Sequence, residues 1–138
     1  MRVSVQIRKP LEARADVLVL GRHSDAARPG PELAAVDARL GGLLSRVLAA
    51  EKFEGKPGQV SYFFTNGKLP AARVMVAGLG PRREADSDAV RNTAATAARR
   101  ARDLGAATVA MYCAAEGLPA RARAQATVEG ALLGTYRF

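Results

Sequence analysis

"DVLVL", Asp16 to Leu20, is one acid followed by four apolar residues in a row. A strand with one wet face alternates apolar and polar side chains, whereas an unbroken apolar run suits a strand covered on both faces. Such a strand needs a packed layer on each side of its sheet, so the segments around it decide the fold. Upstream, "RVSVQI" places Val3, Val5 and Ile7 on one side, the pattern of a half-buried or edge strand, and Pro10 stops it. Downstream, "GRHSDAARPGPE", Gly21 to Glu32, is polar and rich in Gly and Pro, the composition of a loop.

From Leu33 the period changes. Leu33, Val36, Leu40, Leu43, Leu44, Val47 and Leu48 recur at three- and four-residue spacing, a helix stripe that Gly41-Gly42 should bend or divide. "EKFEGKPGQ" is a charged turn, and "VSYFFT" carries the β-branched and aromatic residues of a strand. Asn66-Gly67 marks a tight turn before a further strand, "ARVMVAGLG". A helix should start at Asp86 or Ser87, bury Val90, Ala94, Ala97, Ala98, Ala101 and Leu104, and stop at Gly105. "ATVAMYC" reads as the next strand, and Pro119 opens a last helix towards Leu133. Strands alternating with helices in this way predict an α/β domain with a mixed sheet between helices.

Composition sets the class. At 138 residues, 49% hydrophobic and 25% charged, the sequence has the size and balance of one globular domain. It has no run near the roughly 20 apolar residues of a membrane span, and its N-terminus lacks the apolar centre of a signal peptide. A single cysteine, Cys113, allows no internal disulfide, which suits a cytoplasmic location. The net charge is +8, with 17 Arg against 4 Lys. That skew fits a GC-rich coding preference and a solvated surface, and it also gives nucleic acid a sequence-independent attraction.

The chemistry-bearing residues do not assemble into a site. Gly78-Leu79-Gly80 ahead of a helix invites a phosphate reading, since helix N-termini hold anions. Yet Arg83 stands where the dinucleotide signature has its third glycine, and no Gly-Lys-Ser/Thr ending follows. Glu84, Asp86 and Asp88 read as helix capping and dipole compensation rather than metal ligands. His23 is the sole histidine and reads as a solvated loop residue; Cys113 reads as a small buried hydrophobe. Arg82-Arg83, Arg99-Arg100-Arg102 and Arg121-Arg123 could share one face, and of Tyr62, Phe63 and Phe64 at least one should enter the core. No catalytic, cofactor-binding or metal-binding residue is assigned.

Five stretches in register carry a resemblance: "ADVLVLG" (15–21), "VDARLGGLLSRVL" (36–48), "FEGKPGQ" (53–59), "GKLPAARVMVAGLGPRREAD" (67–86) and "LPARARAQATVEGALLGTYRF" (118–138). Together they resemble the N-terminal domain of the leucine aminopeptidases, the cytosol aminopeptidase family. The resemblance implies a macro-domain-like, three-layer α/β/α fold with a mixed sheet. It implies that residues 1–138 are a single non-catalytic N-terminal domain, supporting assembly or regulation and without turnover of its own. The two-metal site, with divalent ions such as zinc or manganese, would lie in a C-terminal catalytic domain, because the "NTDAEG"-type metal segment has no counterpart in this chain. The implied partners are that catalytic domain and sister subunits of a homo-hexamer, with DNA left open and no membrane. Two other readings compete: a stand-alone macro-type module binding ADP-ribose or a related nucleotide, and a DNA-binding domain. For the nucleotide reading, Asn92-Thr93-Ala94-Ala95 is reminiscent of a macro-domain motif but falls inside a predicted helix. Leu132, Leu133, Tyr136 and Phe138 form an apolar end that would be partly exposed, as interaction surfaces are.

Overall fold

The computed structural model describes residues 2–3, 9–113, 115 and 117–135. Its elements are β1 (Arg2–Val3), β2 (Val17–His23), α1 (Pro31–Arg39), α2 (Leu43–Ala50), β3 (Val60–Phe64), β4 (Arg73–Gly80), α3 (Ser87–Asp103), β5 (Thr108–Tyr112) and α4 (Ala120–Thr135). They form one five-stranded sheet in the order β1-β5-β2-β4-β3. β2 pairs in parallel with both β4 and β5, and β3 closes one edge antiparallel to β4, which makes the sheet mixed. The element order is the one expected from the sequence. Of the expected first strand, the part beyond Val3 lies outside the described residues.

Alternation along the two central strands divides the core. Leu18 and Leu20 of β2 and Val74 and Val76 of β4 pack with Leu33 and Val36 of α1, Leu40 just past its end, and Leu44 and Leu48 of α2. Val17, Val19, Met75 and Ala77 point the other way, against Ala97 and Ala101 of α3. The sheet is therefore the middle of three layers, with α1 and α2 on one face and α3 with α4 on the other. Asp16 fixes the entry to β2: its carboxylate accepts from the amides of Ala107 (2.7 Å) and Thr108 (3.2 Å), aligning β5 alongside.

The local punctuation follows the residues that demand it. Gly41 and Gly42 have φ of 65° and 84°, separating α1 from α2, and Asp37 reaches across the break to accept from the Ser45 amide at 3.2 Å. Asn66 (φ 53°) and Gly67 (φ 80°) make the turn between β3 and β4, since both central residues of such a turn take positive φ. Asp86 caps α3 by accepting from the Ala89 amide at 2.8 Å. The expected stripe on α3 is buried from Val90 to Ala101. Phe63 packs into the core, while Tyr62 and Phe64 stay on the outer side of the edge strand, Arg73 stacking on Phe64 at 4.5 Å from the ring centroid.

Two expectations need correction. Gly21, Arg22 and His23 belong to β2 rather than to the following loop, because β4 is long enough to pair with them; the pairing slips by one residue between Arg22 and His23. His23 is consequently 6% exposed, not solvated. Its Nδ1–H donates to the Gly80 carbonyl at 3.0 Å.

α4 packs on α3 through small residues. A Cβ added at Gly130 would lie 2.1 Å from the Arg91 carbonyl oxygen, and one at Gly134 would lie 2.3 Å from that of Ala95. The glycines face inward, and Leu132 and Leu133 of the same helix are 56% and 65% exposed. The expected apolar end is thus present as far as Leu133; Tyr136 and Phe138 lie outside the described residues.

In an open helix, Gly→Ala stabilises by about 1 kcal/mol. At Gly130 and Gly134 the sign reverses, because the added methyl must push one helix backbone off another. Gly130→Ala and Gly134→Ala are each expected to destabilise by about 1–3 kcal/mol, read as a lower urea midpoint. Cys113, behind β5, supplies a second test: burial raises its thiol from the ordinary 9.0 to about 11, a Thr127 hydrogen bond working the other way. The folded state therefore keeps a neutral thiol where the unfolded chain would ionise. That contribution is complete below pH 9.0 and is lost as the pH rises through about 11. Cys113→Ala should flatten the alkaline fall in stability, measured as urea midpoints at about pH 8 and about pH 10.5.

Candidate functional site

The C-terminal ends of β2, β4 and β5 open on one side of the sheet, where ligands of open α/β sheets bind. There the chain from β2 into α1 turns away from the sheet, leaving a cleft of about 430 Å³. Arg22, His23, Arg28, Arg82, Tyr112 and Arg123 are among its lining residues. Each arrives by a different route. The slipped pairing at the end of β2 re-aims Arg22 and His23, as a bulge does at a strand end. Arg82 follows β4, Tyr112 ends β5, and Arg123 lies in the first turn of α4. Arg82 is already engaged: its amide donates to Asp25 at 3.1 Å and its Nε lies 3.6 Å from the same carboxylate. Asp25 is held below the usual carboxylate value chiefly by that backbone hydrogen bond; desolvation opposes it, and Asp25's own amide and the charges of Arg82 and His23 add smaller lowering effects.

The glycine turn does not form a phosphate cradle. Gly78 and Gly80 belong to β4, and the segment 55–58 lies directly on them. A Cβ at Gly78 would fall 2.0 Å from the Lys56 carbonyl oxygen, and Pro57 sits 3.0 Å from the corresponding position on Gly80. The amides are taken as well: Gly80 N–H donates to Gly55 and Gly78 N–H to Gln59, each at 2.9 Å. These glycines are small because another backbone crosses them. The signal available in the sequence was the paired occurrence of "GKPG" and "GLG", two glycine-rich segments that each need the other's lack of side chains.

The remaining candidates separate. Asp86 caps α3, and Asp88 pairs with Arg91 one turn on. Asn92 lies within α3, on the side of a second, smaller cleft with Glu84, Asp86 and Asp88. Among the described residues no group of three or more His, Cys, Asp and Glu is placed to hold a metal ion. The three arginine groups do not share a face. Arg82 and Arg123 meet at the cleft, whereas Arg99, Arg100 and Arg102 end α3 beside the start of β4, at the opposite end of the sheet. Among the described residues no helix is long and apolar enough to cross a membrane.

A probable cytosol aminopeptidase of Syntrophotalea carbinolica is 37% identical over 140 aligned positions, covering 100% of this chain and 28% of that protein. The chain thus spans little more than a quarter of the length of such relatives. A solved tomato leucine aminopeptidase mutant superposes with a TM-score of 0.75 at 29% identity, over 91% of this chain and 26% of that one. The macrodomain of Mycobacterium tuberculosis DarG superposes with a TM-score of 0.69 at 17% identity, over 91% and 86% of the two chains. At that identity the likeness is one of fold, and it makes the three-layer sheet macro-domain-like. The description "cytosol aminopeptidase family, N-terminal domain" matches residues 18–138, and the chain belongs to that family.

Proposed function

We propose that residues 1–138 are the non-catalytic N-terminal domain of a leucyl aminopeptidase, whose longer form removes N-terminal amino acids from peptides. The observation that carries this reading is the 37% identity running the whole length of the chain against only 28% of the relative's length. In that longer form, two divalent ions such as zinc or manganese, held outside this domain, would supply an activated water. This domain's own contribution is mechanical. It presents a preformed surface, and α4 is the element suited to it. The glycines of α4 lock it to α3, which leaves Leu132 and Leu133 on the outer side at 56% and 65% exposure. Covering a leucine stabilises an interface by about 1.5–3 kcal/mol, so the pair would anchor the catalytic domain or a sister subunit of a homo-hexamer.

Hydrolysis of leucine p-nitroanilide with added manganese tests the division of labour. Residues 1–138 alone are expected to give no turnover above the metal-only blank, and the longer form to give saturable turnover. Metal-dependent turnover by residues 1–138 alone would overturn the reading. Leu133→Glu tests the surface. In residues 1–138 it should change stability by less than about 0.5 kcal/mol, as for an exposed site. In the longer form it should lower the melting temperature or shift the assembly to smaller species on gel filtration. Equal behaviour in both forms would remove α4 from the interface.

A further inference from the structure

β3 ends the sheet on one side, and among the described residues no strand pairs with its outer edge. The phase of its pairing with β4 fixes which backbone groups are left over. Gly78 N–H donates to the Gln59 carbonyl and Thr65 N–H to the Ala72 carbonyl, so Gln59, Ser61, Phe63 and Thr65 turn their backbone groups to β4. The N–H and C=O groups of Val60, Tyr62 and Phe64 therefore point outward. Edge strands are usually protected by a lysine, a proline, a bulge or a covering helix. β3, "VSYFF", has no charge and no proline, and its register against β4 runs without a shift. The three residues with outward backbone groups also carry apolar side chains on one face. Val60 packs against the core beneath α3, while Tyr62 and Phe64 remain 37% and 56% exposed.

We propose that this edge binds the same edge of a second copy of the chain, antiparallel and centred on Tyr62. The occupant follows from the symmetry of the strand. A two-fold axis at Tyr62 sets Tyr62 opposite Tyr62 of the second copy, and Val60 opposite Phe64 on either side. These are the residues whose backbone groups point outward, so every one of those groups finds a partner. A shift of two residues in either direction would set Val60 opposite Asn66, or Phe64 opposite Gly58, both of them turn residues. The centred register also matches the side chains, giving one aromatic–aromatic pair and two aromatic–β-branched pairs, combinations that stabilise antiparallel strands. The net charge of +8 opposes association of two copies, but none of it lies on β3 itself, and salt screens charges held at a distance. The contact uses neither Leu132 nor Leu133 of α4, and it stands whether or not the longer form is a peptidase.

Disulfide trapping in the longest form the gene encodes reads the register directly. In this pairing the two Tyr62 Cα atoms lie about 5.5 Å apart, within the roughly 4.4–6.8 Å that a disulfide spans. Tyr62→Cys, mildly oxidised in about 0.3 M salt, is expected to give linked pairs on a non-reducing gel. Phe64→Cys places the two like residues about 13 Å apart along the strands and should give none. Val60→Cys/Phe64→Cys should link again, because those positions face each other. The unaltered chain is the blank, its one cysteine, Cys113, being buried. Adding Tyr62→Lys to the double variant should cut the linked yield by about tenfold or more, with an unchanged circular dichroism spectrum showing that the chain still folds. Failure of Tyr62→Cys or of the double variant to link at about 100 μM chain would overturn the proposal. So would linking of Phe64→Cys as readily as Tyr62→Cys, or a yield that Tyr62→Lys leaves unchanged. Absence of linkage together with a lower melting temperature for Tyr62→Lys would place the edge against the rest of its own chain instead.

Discussion

β2 is hydrogen-bonded along both edges and buried on both faces, with Val17, Leu18, Val19 and Leu20 each at 1% exposure or less. Four such side chains represent on the order of 10 kcal/mol of burial, as large as the net stability of a whole domain. No arrangement that leaves either face wet can compete with one that covers both. The helices on the two faces are therefore a requirement set by β2, and their composition answers to it. The leucines of α1 and α2 fill the wider space on one side, and the alanines of α3 bring a helix close on the other. Asp16 then sets where the buried stretch begins, by tying the start of β5 to it.

The close approach on the α3 side carries over to α4. Once α3 lies near the sheet through alanine, α4 can cover it only by bringing backbone near backbone, which Gly130 and Gly134 permit. The consequence is an inverted helix. Its small residues are inside and two of its leucines are outside, so α4 has almost no amphipathic character by the usual measure of apolar periodicity. A helix patterned in this way contributes contact area through its backbone and keeps its large apolar side chains for another surface. That combination is costly for a chain with nothing to cover Leu132 and Leu133, and it is natural for a domain within a larger assembly.

The same distinction explains which parts of the molecule were legible in the sequence. Features imposed by local stereochemistry could be read directly: the Gly41-Gly42 break, the Asn66-Gly67 turn, the Asp86 cap and the doubly buried run from Val17 to Leu20. Features imposed by a partner distant in sequence could not. Nothing near His23 announces that β4 extends far enough to pair with it and bury its ring. The glycines at 78 and 80 have the look of a ligand loop, and their purpose appears only when residues 55–58 are seen lying across them. The cleft was missed for a related reason. Arg22, Arg28 and Arg123 come from a strand, a loop and a helix about a hundred residues apart at the extremes, and only the topology brings them to one end of the sheet.

That topology also changes how the charge should be understood. A net charge of +8 spread over the surface would act as a general field, attracting any polyanion weakly. Seven of the seventeen arginines lie at opposite ends of the parallel strands, with Arg99, Arg100 and Arg102 at one and Arg22, Arg28, Arg82 and Arg123 at the other. A long polyanion such as a nucleic-acid duplex needs a continuous track of cations, because its affinity comes from many phosphates neutralised together. A small anion needs several cations converging within one cavity. The carboxylates reinforce this sorting: Asp25 neutralises Arg82, while Glu84, Asp86 and Asp88 line the neighbouring cleft on the other side of β4. These charges are thus grouped by the topology at separate places around the sheet.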